Sequence, residues 1–326
     1  MPSRSADEVR GIITVVHPER RTQRTVHRIL GPSMLAVDAV DSAAEARRQV
    51  KQRTPEILVI GAEVLAEADG RALVTEAARG GLLGCIVLAG DAAPAAIPAL
   101  LDLEPLTQLA THQMPVLAEE LMPTVKKLVS GDLFGLEKYL SWGAEARTAV
   151  LTDVADRRRV VDALARDVRE LGLGPRIASM SSMVSDELLS NALFDAPVDP
   201  SGAPTRITDD RHAPRPLTER EQVTMRYASD GRYLALEIND QFGTLDRATI
   251  VHHLGKALVR STDRVELEGP GAGMGIALAY SCCTQLVYNL RPGSRTQAIA
   301  LLDVRYKPRD LTAPAPAVGI FEQVAG

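Results

Sequence analysis

The sequence predicts an α/β protein of two domains. A doubly wound parallel sheet spans 8–130, and an α/β sandwich with a mixed, mostly antiparallel sheet spans 151–307. Three observations predict this. Short apolar runs alternate with helical segments five times over the first part. Two amphipathic helices then precede two strand-like runs that face each other across Asp230-Gly231. Finally, 326 residues suffice for two separate cores.

In the first domain the strands are GIITVV, MLAVDAV, EILVIG, GCIVLAG and LTQLAT. Helices are expected near 22–30, 43–53, 70–78, 95–101 and 117–129, where apolar residues recur at helical spacing. Residues 131–150, with the chain's single tryptophan, read as a connector. VLTDVADRRRVVDALARDVRELGLG then forms a charged amphipathic helix stopped by Gly172 or Gly174. A second helix covers about 177–196, and the Pro-rich stretch 197–220 has no periodicity, as a mobile or partner-facing loop would. QVTMRYA and RYLALEIND pair as a hairpin, a helix covers 249–259, and a glycine cluster leads into another helix. A last hairpin, QLVYNL and QAIALLDV, turns at Pro292-Gly293, and 308–326 reads as a loosely held tail.

Composition excludes several classes. With 45% hydrophobic and 24% charged residues, neither disorder nor a fibrous repeat is indicated, and a net charge of -5 without a basic tract argues against nucleic acid. Cys85, Cys282 and Cys283 lack metal or disulfide spacing and read as reduced core thiols. The N-terminal MPSRSADEVRG has no apolar run behind its charges, and the uncharged 269–289 carries too many glycines and amides to span a membrane. The expectation is a cytoplasmic protein without membrane attachment.

Polar residues placed where apolar ones belong mark the candidate site. Within DELLSNALFDAP, at about 100° per residue, Glu187 and Asn191 share a stripe with Met180, Val184 and Leu188, the face that meets the sheet. An unpaired amide or carboxylate buried there costs about 1–3 kcal/mol, so something in the cleft has to compensate. In LEIND, strand parity places Asp240 on the face of Leu236 and Ile238, where a carboxylate can accept from a purine amine. In GPGAGMGIALAY, Gly269, Gly271, Gly273 and Gly275 precede a helix, and glycines allow backbone N–H groups to close on phosphate oxygens. Each piece has a plainer reading as well: a backbone-satisfied helix pair, a turn cap and a flexible loop.

The first domain resembles a bacterial response-regulator receiver, a flavodoxin-like fold, over nearly its whole length. The residues that receiver chemistry needs are replaced: His17-Pro18-Glu19 stands where an acidic pair is expected, Gly61 where the phosphorylated aspartate is, and Met114-Pro115 where Lys-Pro is. This implies a pseudo-receiver that docks partners. In order and spacing, DELLSNALFDA, NDQFG and GAGMGI resemble the N box and two glycine boxes of the GHKL, or Bergerat-fold, ATPases, over about 150–305. The layout RELGLGPRIASMSSMVSDELLSNA is closest to anti-sigma-factor kinases, where a short helix directly precedes the N-box helix, and none of the six histidines has a phosphoacceptor context.

The resemblance implies ATP and Mg²⁺ as ligands, with Asn191 holding the metal and Glu187 as catalytic base. Asp240 would read adenine beside Phe242 and Gly243, while Gly271, Gly273 and Gly275 would shape the phosphate lid. Phe242 and Thr244 depart from the first glycine box, which retains only Gly243. The implied function is an ATP-binding signalling regulator, with anti-sigma-like Ser/Thr kinase activity as the reaction the resemblance points to. The alternative is a non-catalytic adaptor whose conformation nucleotide sets. Partners would be signalling proteins or a second copy of the chain. His252-His253 reads as helix surface, and Lys256, Arg260 and Arg264 as cations within reach of phosphate or simply solvated.

Overall fold

The computed structural model describes residues 11–90, 92, 96–111, 117–211, 213–262, 274–305 and 315–323, with 256–262 and 274 described through their backbone. The chain divides into two compact units, Met1–Asp132 and Leu133–Gly326.

Unit 1 is a five-stranded parallel sheet in the order β2-β1-β3-β4-β5. The strands are β1 (Ile12–Val16), β2 (Ala36–Val40), β3 (Ile57–Gly61), β4 (Gly84–Leu88) and β5 (Leu106–Ala110). Every residue of β3, β4 and β5 is buried, because crossover helices cover both faces, whereas β2 is an edge strand and mostly exposed. The helices are α1 (Arg20–Leu30), α2 (Ala43–Val50), α3 (Ala62–Leu65), α4 (Ala68–Arg79), α5 (Ile97–Leu101) and α6 (Ala118–Ser130). Val26 and Leu30 of α1 and Leu121 and Val125 of α6 close one face over Ile13, Val15, Ile57, Val59 and Ile86. Arg47 of α2 pairs with Glu76 and Asp69 of α4 on the other.

Unit 2 has a six-stranded sheet in the order β11-β9-β10-β8-β7-β6, antiparallel throughout except where β11 runs parallel to β9. Its strands are β6 (Arg147–Leu151), β7 (Val223–Ser229), β8 (Tyr233–Asp240), β9 (Gln285–Arg291), β10 (Arg295–Asp303) and β11 (Ala317–Glu322). The helices are α7 (Asp156–Glu170), α8 (Gly174–Ser190), α9 (Arg247–Thr262) and α10 (Met274–Cys282). Gly231, at φ +84°, turns the β7–β8 hairpin, and Asp230 Oδ1 accepts the N–H groups of Arg232 and Tyr233.

Three expectations are corrected. The connector ends in a strand: β6 pairs with β7, and Leu136–Tyr139 forms a 3-10 turn upstream. The tail read as loosely held contains β11, buried from Ala317 to Phe321 on β9. The Pro-rich loop is pinned, because the fully buried Arg206 donates to Glu221 Oε1 from Nε at 3.0 Å and Nη2 at 2.6 Å.

All eight residues of β8 are buried, so both of its faces are covered. One face carries a polar network under the segment around Leu136. Glu237, 1% exposed, accepts from Leu136 N (2.7 Å) and Asn239 Nδ2 (2.7 Å), and Gln297 Oε1 accepts from Gly135 N (3.1 Å). The guanidiniums of Arg291 and Arg295 lie 5.1 and 4.4 Å from the ring centre of Phe134. By strand parity Leu234, Leu236, Ile238 and Asp240 face the opposite way, toward α8.

Candidate functional site

The site in unit 2 starts from α8. After Ser190 this helix widens into a π-helical turn, Asn191–Asp195, closed by Ala196 N donating to Asn191 O at 3.0 Å. Such turns insert a residue and re-aim side chains, and they recur at functional positions. Leu188, Leu189, Leu193 and Phe194 are buried, while Glu187 and Asn191 are half-buried. Among the described residues neither of those two side chains has a hydrogen-bonding partner.

Gly275, in the first turn of α10, meets both. A Cβ built on it would stand 2.5 Å from Glu187 Oε2 and 3.4 Å from Asn191 Oδ1. Glycine therefore leaves the Glu187 carboxylate its present place against α10. Burial raises the Glu187 carboxyl above its ordinary value; Asp186 and Asp195 add to the effect, while Arg211 and Arg157 oppose it. Arg211 sits beside the π-turn, donating from Nη1 to Ser190 Oγ at 3.0 Å and stacking on Phe194 with 5.4 Å to the ring centre. Nothing in the sequence marked Arg211, because it reaches the helix from the aperiodic loop.

Asp240 ends β8, 6% exposed. Its Oδ1 accepts the N–H groups of Phe242 (2.9 Å) and Gly243 (3.1 Å), so the carboxylate shapes its own turn. Burial raises its pKa, against the pull of those N–H groups and of Thr296. Gly243 has φ +62°, and a Cβ there would stand 2.3 Å from Arg291 O, so only glycine lets this turn seat on the β9–β10 hairpin. Phe242 is buried, with the Arg220 guanidinium 4.9 Å from its ring centre. Thr244 Oγ1 donates to Ala196 O at 2.9 Å, tying this turn to the π-turn, and β8 packs against the π-turn as well.

The structure thus brings Glu187, Asn191 and Gly275 together and sets Asp240, Phe242 and Gly243 in a turn tied to the same helix end. Gly271 and Gly273 lie outside the described residues, as do the side chains of Lys256, Arg260 and Arg264. His252 and His253 make an edge-on ring contact with each other at 5.5 Å, and no group of three metal-ligating side chains occurs among the described residues.

In unit 1 the strand ends hold a different set. His17, after β1, donates from Nε2 to Glu63 Oε1 at 2.9 Å, across the ends of β1 and β3. A Cβ at Gly61 would stand 2.7 Å from that same oxygen, so the Glu63 carboxylate fills the space above residue 61. The hydrogen bond from His17 holds the Glu63 carboxyl below its ordinary value, with burial opposing. Met114-Pro115 lies outside the described residues.

No family model and no curated protein matches the chain. Solved structures similar to its N-terminal part are receiver domains. One is the signal receiver domain of an HD domain-containing protein from Pseudomonas fluorescens: 16% identity, TM-score 0.33, covering 37% of this chain and 96% of that one. A response regulator receiver protein from Pseudoalteromonas atlantica has 21% identity and a TM-score of 0.29, covering 37% and 98%. A third, from Clostridium thermocellum, has 16% identity and a TM-score of 0.30, covering 37% and 95%. No helix among the described residues is long and apolar enough to cross a membrane.

Proposed function

We propose that the chain is a signalling regulator in which a receiver-like unit without acyl-phosphate chemistry accompanies a GHKL-type unit that binds Mg-ATP. The observation that carries this reading is the convergence of Gly275 on Glu187 and Asn191. A half-buried carboxylate and carboxamide with no hydrogen-bonding partner among the described residues, under a glycine that leaves room for them, suit a ligand that supplies both a cation and donors.

Bound Mg-ATP would bring the transferable phosphoryl group and a divalent charge. Asn191 Oδ1 offers the metal an oxygen ligand, and Asp240 presents a carboxylate to the adenine amine. Arg211 adds positive charge beside the helix end. Glu187, with its pKa raised by burial, is suited to accept a proton from an attacking Ser or Thr hydroxyl at its carboxylate oxygen. The kinase reading and a cytoplasmic setting are parts of this proposal.

Isothermal titration with Mg-ATP tests binding: saturable heat that Asn191→Ala removes supports it, and no heat from the wild type at millimolar nucleotide overturns it. The adaptor reading is favoured by one observation, that Arg220 already covers Phe242 and Oδ1 of Asp240 is occupied by its own turn. Incubation with labelled ATP and candidate partners separates the two, because phosphate transfer lost in Glu187→Gln contradicts an adaptor.

A further inference from the structure

Unit 1 holds a cavity of about 830 Å³ at the ends of its strands, within the range of about 300–1,000 Å³ typical of small-molecule sites. It lies at the C-terminal edge of the parallel sheet, where the order β2-β1-β3 reverses direction. Connections leave β1 and β3 toward opposite faces there, which opens a crevice. His17 and Glu63, joined across that crevice, are both in its lining. The walls are short and apolar: Ala62, Ala66, Ala96 and Ala99, with Leu100 and Leu103.

Charge narrows the ligand class. Among the described lining residues, the carboxylates of Glu63 and Asp102 outnumber the one guanidinium, Arg71, whose Nε is turned to Leu65 O at 3.4 Å. His17 adds neither a free donor nor a free acceptor, since Nδ1 accepts the Glu19 N–H at 3.1 Å while the Nε2 N–H serves Glu63. We infer that this cavity binds a small planar cation, an amidine or a protonated amino-heterocycle, whose N–H groups donate to the Glu63 carboxylate while its ring rests on the alanine and leucine walls. A carboxylate meets such a group through two parallel hydrogen bonds, which sets orientation as well as affinity. The inference is independent of nucleotide binding in unit 2.

The experiment titrates benzamidine into the full chain with labelled alanine and leucine methyl groups, followed by NMR. Saturable shifts confined to Ala62, Ala66, Ala99 and Leu100 are expected. Glu63→Gln should weaken them about tenfold, the scale of one charge-assisted contact. Ala99→Phe, at an exposed wall position, should abolish them by filling the space, and benzyl alcohol, neutral and of similar shape, should produce none. Either variant's fold is checked by the unchanged methyl signals of Leu30, Ala46 and Leu121, which are buried in unit 1 outside the cavity lining. Absence of shifts, shifts unaltered in both variants, or equal binding of benzyl alcohol would overturn the inference.

Discussion

Gly275 and Glu187 are fitted to each other: a Cβ on the glycine would stand 2.5 Å from the carboxylate oxygen Oε2. The obstructing atom is the end of a side chain, so Gly275→Ala should turn the carboxylate aside instead of unfolding the helix. Alanine is also the better helix former, by about 1 kcal/mol in a helix interior and by less in a first turn such as that of Gly275. Gly275→Ala should therefore melt no lower than the wild type, yet bind Mg-ATP about tenfold or more weakly, roughly 1.4 kcal/mol. Calorimetric titration beside a thermal melt checks both halves; unchanged affinity would separate Gly275 from the ligand site.

Glu63 makes a second prediction. Its carboxylate occupies the space above Gly61 and His17 holds it there, so an aspartate introduced at 61 meets a like charge and finds no acidic pair to share a metal. Neither the wild type nor Gly61→Asp should acquire phosphate from acetyl phosphate and Mg²⁺. Intact-mass spectrometry after incubation reads the result directly, and a phosphorylated species in the wild type would contradict the loss of acyl-phosphate chemistry.

Much of this was legible in the residues, for identifiable reasons. Strands such as ILVIG are buried on both faces, so a continuous apolar run suffices to reveal them. The parity of LEIND placed Asp240 on the helix face correctly. β6, RTAVL, was hidden because an edge strand exposing Arg147 and Thr148 lacks that run and adjoins a charged helix. β11 was hidden by its glycine and by the prolines before it. What single residues could not reveal were long-range partners. Arg206 reads as a loop charge until Glu221 is beside it, and Glu237 reads as a strand polar residue until Leu136 N donates to it.

Glu237 supplies the third prediction. Its buried carboxylate holds Leu136 N and Asn239 Nδ2 and lies 3.6 Å from Arg226 Nη1. Removing Glu237 leaves Leu136 N and Asn239 Nδ2 buried without that acceptor, at about 1–3 kcal/mol each, while Arg226 keeps Glu137. Glu237→Ala should lower the urea midpoint of the unit 2 transition accordingly. The amides of 133–139 should exchange faster by hydrogen exchange; protection equal to wild type would mean that Phe134 and the Gly135–Gln297 hydrogen bond hold the segment without Glu237.

Asp240 separates function from stability. Burial raises its pKa in the folded state, so the ionised form is the one the fold disfavours, whatever the turn N–H groups return. The sign follows. Relative to a neutral side chain, the native aspartate costs nothing below its unfolded value of about 3.9, and its cost grows as pH rises through the higher folded value. Asparagine keeps the oxygen that accepts from Phe242 and Gly243 while removing the charge. Asp240→Asn should then be more stable than the wild type at neutral pH, with a higher melting temperature. That advantage should vanish as pH falls toward 4. In the same variant Mg-ATP affinity should drop, because an amide presents the adenine amine with a weaker acceptor. Melting curves across pH paired with nucleotide titration test this, and a variant equally stable at both pH values would show that the turn N–H groups fully offset the burial of the carboxylate.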